Sequence, residues 1–219
     1  MDWVEQIVNV PIEKKYAQFG EEAIFDFIFE NIQTTDNYLV DLGAGGLGCK
    51  MSNTQYLIEK GWSGLRIDGN TDPNSDIKKE FITTENIIHL FEKYRVPETF
   101  DLLSIDIDGN DFWVLKNIFD GGYYPRVIIN EFNGCIEQGV SKVMKNNPTH
   151  SWGNNDYYGA SFEAFNKLCR SYGYVLIYQV ATTNMIFVKR ESVLKKDYSI
   201  TYTQNQYHPH SPNREWIMF

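Results

Sequence analysis

Residues 38–48 read YLVDLGAGGLG, a short apolar run that ends directly in a glycine cluster. A strand followed by glycines turns the chain tightly and lets another group approach the backbone closely. Outward from it, further short apolar runs recur: Gly64–Asp68 (GLRID), Asp101–Asp106 (DLLSID), Arg126–Glu131 (RVIINE), Tyr174–Gln179 and Met185–Lys189. Amphipathic segments separate them. Gly20–Ile32 sets Ile24, Phe27, Ile28 and Ile32 on one helical face, and Asn53–Lys60 reads as a helix stopped by Gly61. Asp111–Phe119 follows as another helix. Ser161 caps one that carries Phe162, Phe165, Leu168, Cys169 and Tyr172 on one face and ends at Gly173. Ile82–Leu90 reads as a third strand running into a helix.

This alternation predicts an α/β protein, Rossmann-like and doubly wound, with a mostly parallel sheet covered on both faces. The proximity of the last two runs predicts an antiparallel hairpin. Residues 1–35 read as an N-terminal helical segment, 36–190 as the α/β domain that carries the ligand site, and 191–219 as a polar tail with little periodicity. Within the domain, 132–160 is a polar loop rich in Asn, Gly and aromatics, and loops of that length are usually functional.

The chain has 219 residues with 20 Lys+Arg against 29 Asp+Glu, a formal charge of −9. Such a surface repels phosphate backbones and anionic lipid, which argues against nucleic-acid and membrane partners. Three cysteines without C-x-x-C spacing exclude a disulfide scaffold and fit a reducing compartment. No run approaches the ~20 apolar residues that cross a bilayer, and the N-terminus lacks a secretory pattern, so a cytoplasmic protein is expected.

Gly43, Gly45 and Gly48 satisfy G-x-G-x-x-G, and Asp68 lies 20 residues beyond Gly48, which also fits a dinucleotide site. The charges favour another ligand. Asp41 precedes the first glycine, where it would face a pyrophosphate at close range, and like charges there are costly. S-adenosylmethionine (SAM) has no phosphate and carries a sulfonium and an ammonium. Asp41, Asp68 and Asp106, at three successive strand ends, form an anionic cradle for it. The plain alternative is that Asp41 and Asp106 close Asx turns at strand ends. An NAD(P)-dependent sugar-modifying oxidoreductase or epimerase, the rival enzyme, would usually supply Tyr-x-x-x-Lys, and none stands at a suitable strand–helix position.

Ser104–Asp111 (SIDIDGND) offers Asp106, Asp108 and Asp111 within six positions. A calcium loop fails on register, because glycine falls at position four from Asp106 and position twelve is Asn117. Asp106 or Asp108 can converge with Glu131 across neighbouring strand tips. That cluster would supply a general base or, in a metal-dependent reaction, hold Mg²⁺ through Asp106, Asp108 and Glu131. Asp111 as a helix N-cap is the plain reading of that residue. His208 and His210 read as solvated, and Trp152, Tyr157 and Tyr158 as loop aromatics able to stack on a sugar or adenine.

Several stretches together resemble the FkbM-type branch of class I SAM-dependent methyltransferases: YAQFGE (16–21), VDLGAG (40–45), Ser52-Asn-Thr54 with Gly61-Trp62 and Gly64-Leu65, Glu85-Asn86, LLSIDIDGND (102–111), VIINEFN (127–133), Tyr158–Ser161, Gly173-Tyr174 and Asn184. The resemblance runs in order from about residue 16 to 190. It implies a seven-stranded sheet with an antiparallel last strand and methyl transfer to a hydroxyl of a sugar, nucleotide sugar or glycan. It departs at Gly46-Leu47-Gly48, where such proteins usually carry an acid before the last glycine. The expected SAM contacts are Asp41, Gly43, Ala44, Gly45, Asn53, Asp68, Gly69 and Asp106, and the expected catalytic residues are Asp108, Glu131 and Asp106. A SAM-binding protein without transferase activity is the remaining alternative, and a homodimer is compatible with the pattern. Lys50, Arg66, Lys142 and Lys145 are the cations available to a phosphate-bearing acceptor.

Overall fold

The structure, a computed structural model, describes residues 2–45, 51–205, 208–211 and 214–219. The strands are β1 (Tyr38–Leu42), β2 (Ser63–Asp68), β3 (Lys78–Lys79), β4 (Leu102–Ile105), β5 (Val127–Glu131), β6 (Lys142–Met144), β7 (Tyr174–Val180), β8 (Asn184–Lys189) and β9 (Trp216–Met218). The helices are α1 (Glu21–Ile32), α2 (Gln55–Glu59), α3 (Ile87–Lys93), α4 (Asp111–Asp120) and α5 (Phe162–Ser171), preceded by a 3-10 helix at Trp3–Asn9. Seven strands form one sheet in the order β3-β2-β1-β4-β5-β8-β7. β1 runs parallel to β2 and β4, and β4 to β5, whereas β8 is antiparallel to both β5 and β7. The expected doubly wound α/β architecture with its antiparallel last strand is therefore present, and its strand order is class I methyltransferase-like.

Side chains alternate across the sheet as a period of two requires. Leu39, Leu102, Val127, Ile129, Ile186 and Val188 meet Ile24, Phe25 and Ile28 of α1 and Val4 and Ile7 of the 3-10 helix. Their neighbours Val40, Leu42, Leu103, Ile105, Ile128 and Phe187 meet Phe91, Phe112, Leu115 and Phe165 of α3, α4 and α5. Both faces are thus buried, which explains why the central strands read as continuous apolar runs.

Three expectations need correction. No strand forms at Ile82. The third strand is the two-residue β3, paired with Ile67 and Asp68. The chain after Ile82 is committed to starting α3, with Thr83 N–H donating to Asn86 Oδ1 (2.8 Å) and Asn86 N–H to Thr83 Oγ1 (3.3 Å). The helix expected over Asn53–Lys60 is only Gln55–Glu59, because the residues before it are engaged elsewhere. The C-terminal residues are not a featureless tail: β9 pairs antiparallel with β6, Ile200 and Tyr202 pack on the core, and Phe219 meets Phe112 at 4.8 Å between ring centroids. The polar loop therefore carries β6, whose partner is remote in sequence.

Among the described residues no helix is long and apolar enough to cross a membrane. Cys135 and Cys169 are free thiols. Gly46, Leu47, Gly48, Cys49 and Lys50 lie outside the described residues.

Candidate functional site

The sheet order reverses between β1 and β4, one leading outward to β2 and the other to β5. Ligands of open α/β sheets bind in the crevice at such a point, beyond the strand C-termini. A cavity of ≈ 690 Å³ opens there, lined by Asp41, Gly43, Gly45, Asn53, Asp68, Asp106, Asp108 and Glu131. Of the other two expected contacts, Gly69 lines an adjoining hollow of ≈ 180 Å³ that shares Gly43, Asp68, Asp106 and Asp108. Ala44 is buried, 2% exposed, and its N–H is spent on Ile67 O (3.0 Å).

Gly43 is demanded by the fold before any ligand. Its φ is +87°, and a Cβ there would stand 1.7 Å from the Asp106 carbonyl oxygen. Its N–H also bonds Ile67 O at 2.9 Å. The first glycine therefore lets β1 pass β4, while Gly45 (φ 93°) lines the cavity.

The Ser52-Asn-Thr54 stretch serves three separate strands. Ser52 Oγ accepts the Thr54 and Gln55 N–H groups, opening α2, and accepts from Arg66 at 3.4 Å. Asn53 Nδ2 donates to Ser104 Oγ on β4 (3.3 Å). Thr54 Oγ1 donates to Asp41 Oδ2 (2.6 Å), so Asp41 is held by a hydroxyl rather than by an Asx turn. Burial pushes the Asp41 carboxyl above its ordinary pKa, against the hydroxyls of Thr54 and Ser104 and the Arg66 charge. Asp68, by contrast, accepts the Asn70 N–H (2.8 Å) in a local turn while still lining both hollows.

The second acidic group forms at the tips of β4 and β5. One carboxylate oxygen each from Asp106, Asp108 and Glu131 lies within 4.8 Å of the others. Burial first, then the Asp111, Asp108, Asp41 and Glu21 charges, hold Asp106 well above the carboxylate range. Burial and the Asp106, Asp111 and Asp108 charges do the same to Glu131, whose Oε2 is buried without a partner among the described residues. Asp111 is not the N-cap, a position Asn110 takes. Its carboxylate instead accepts the Ile107 and Gly109 N–H groups, both at 2.8 Å, and burial pushes it up to about 6 against those bonds. The chain wraps this acid, and Asp108, at φ 56°, is turned into the cavity.

Other lining residues were not among the expected contacts, although YAQFGE and Asn184 belong to the motif stretches; Thr182, Thr183 and Asn205 carried no sequence signal. Gln18 and Phe19 line the cavity, on a segment folded back by two buried glutamates at the start of α1. Glu22 Oε1 accepts the Tyr16 and Ala17 N–H groups (2.5 and 2.6 Å), and Glu21 accepts from Phe19 N–H and Asn184 Nδ2, both at 2.9 Å. Thr182, Thr183, Asn184 and Asn205 complete the rim. His208, expected to be solvated rather than ligating, is partly exposed and lines the cavity with its ring 5.1 Å from Trp152 and 6.0 Å from Tyr158. His210 is 82% exposed but pairs with Asp156 Oδ2 (2.5 Å). Trp152 and Tyr158 face the cavity, whereas Tyr157 packs on Trp216 and donates to Glu215 O.

No lysine or arginine lines the cavity among the described residues. Arg66 pairs with Asp76 (3.1 Å), Lys145 with Glu215 (2.6 Å), and Lys142 lies over the Trp216 ring. Tyr56 and Lys60 have Tyr-x-x-x-Lys spacing, yet both bind Asp26 away from the cavity lining.

The chain matches no known protein-family model, and no curated protein matches it in sequence. The fold is Rossmann-like with class I methyltransferase-like strand order, an architecture typical of SAM binders.

Proposed function

We propose that the chain is a SAM-dependent O-methyltransferase, of the FkbM type that its motifs resemble, acting on a sugar or glycan hydroxyl. One observation carries the reading: five carboxylates and no lysine or arginine line the described wall of the cavity at the sheet's switch point. A pyrophosphate there would meet like charge in a poorly solvated cleft, whereas a sulfonium and an ammonium are stabilised. The same charge pattern disfavours a nucleotide sugar relative to a neutral acceptor.

SAM, when bound, supplies a methyl group activated by a positive sulfur. Asp68, at the β2 tip, accepts from the ribose hydroxyls, while Asp41 and Gly45 line the same cavity. Asp108 takes the acceptor hydroxyl's proton, its raised pKa making it a better base than an ordinary carboxylate. Glu131 assists as a second base. Trp152, Tyr158 and His208 offer aromatic edges and faces to the acceptor's CH surface. The Asp106–Asp108–Glu131 set also suits a hard divalent cation, and Mg²⁺ held there would orient and acidify the hydroxyl.

Thermal shift with SAM, S-adenosylhomocysteine and NAD tests the donor. The first two should raise Tm and NAD should not; the reverse result would overturn the reading. A labelled-methyl assay over neutral sugars, with and without EDTA, then separates a transferase from a SAM-binding protein and reports metal dependence.

A further inference from the structure

A second hollow of ≈ 630 Å³ lies beside the first, between the 3-10 helix at the N-terminus, β7 and the C-terminal segment. β7 is the outermost strand of the sheet. The C-terminal segment is held at a stand-off from it by Gln179, whose Nε2 donates to Thr203 O (3.0 Å) while Oε1 accepts the Thr203 N–H (3.3 Å). The result is a groove with an apolar floor, including Ile7, and a rim bearing Tyr178, Tyr198 and the exposed Thr201.

Two features describe the occupant. The groove adjoins the acid-lined cavity: Thr182 of the β7–β8 turn lines both, and Thr203 and Asn205, two residues apart, line one each. Its charges are already matched within the protein, Lys195 by Glu5 and Asp197 by Arg170. A charged polymer therefore finds no free counter-charge among these rim residues. A chain of neutral polyols suits half-buried tyrosine rings and hydroxyl-bearing threonines.

We propose that this groove binds the sugar units flanking the methylated one, so that the acceptor is a neutral oligosaccharide or polysaccharide rather than a single sugar. The inference rests on the methyl-transfer reading for the cavity but not for the groove's own binding.

Saturation-transfer NMR on the full chain, without SAM, tests it with neutral gluco-, manno- and galacto-oligosaccharides from single sugars to hexasaccharides. The expected result is a signal that grows with length in at least one series and is lost in Thr201→Trp and in Ser199→Trp, which fill the groove from exposed positions. Circular dichroism and an unchanged SAM-induced Tm shift confirm that the variants fold. Absence of signal in every series, signal indifferent to both substitutions, or selective binding of an extended peptide along β7 would overturn the proposal. Failure of the donor reading is a separate outcome, seen as no Tm shift with SAM while oligosaccharide binding persists.

Discussion

Asp108 occupies a left-handed backbone conformation that most side chains avoid, and two N–H groups of its loop are tied to the buried Asp111 carboxylate. Asp tolerates this conformation in turns better than most residues, and here it directs the side chain to the cavity, as the proposed base role requires. Asp108→Asn keeps the shape and removes the base. Turnover should fall by about 10²–10⁴-fold while SAM affinity, read by calorimetry, stays nearly unchanged; full activity would refute the role. Asp106 and Glu131 carry the opposite kind of cost. Their folded pKa values are raised, so ionising them opposes folding, and stability drops as pH climbs from the ordinary carboxylate range toward those raised values. Asp106→Asn should therefore raise stability near pH 7 by on the order of 1 kcal/mol while abolishing SAM binding. A bound cation favours the ionised carboxylates, so SAM uptake should release protons and tighten as pH rises. Calorimetry in buffers of different ionisation enthalpy reads this directly, and proton uptake would contradict it.

The turn after β1 and the entry to α2 act as one unit at the scale of elements. Gly43 clears the β4 backbone, and Thr54 gives its hydroxyl to Asp41 instead of capping α2, which leaves that helix short. Gly43→Ala meets both a positive φ and the Asp106 carbonyl. It should cost at least about 2 kcal/mol in urea denaturation and eliminate SAM binding. A well-folded Gly43→Ala variant with normal affinity would show that β1 and β4 can separate cheaply. The β1 and β4 motifs were readable in advance because a short apolar run ending in acid and glycine is a pattern of neighbouring residues. The third strand was not, since β3 is two exposed lysines on a sheet edge, with no apolar pattern of its own.

Across the whole molecule, a buried acid ties α1 to the sheet on the side away from the cavity. Asp101, fully buried, accepts N–H groups from Thr35, Asp36 and Asn37 and pairs with Arg126 at 2.8 Å. Arg126 in turn donates to the Ile32 and Gln33 carbonyls at the end of α1. Asp101→Ala leaves this charge and these donors unmatched, with an expected loss of about 3–5 kcal/mol in chemical denaturation. Because α1 begins with Glu21 and Glu22, which fold the Gln18–Phe19 segment over the cavity, the same variant should also weaken SAM binding. Destabilisation without any change in affinity would show that the two ends of α1 are independent.

Local order in the chain was enough for the strands β1, β2, β4, β5, β7 and β8, the main helices, and the acids at successive strand tips. Periodicity and strand-end placement are properties of neighbouring residues. Folding alone assigned β6 to β9, brought His208 to Trp152 and Tyr158, and set Glu21 against Asn184. These contacts join residues 50 to 163 positions apart, as with His208 and Tyr158 or Glu21 and Asn184, and no short-range pattern encodes such pairings. Their partners are chosen by which surfaces the packed sheet leaves uncovered, a property that exists only once the core has closed.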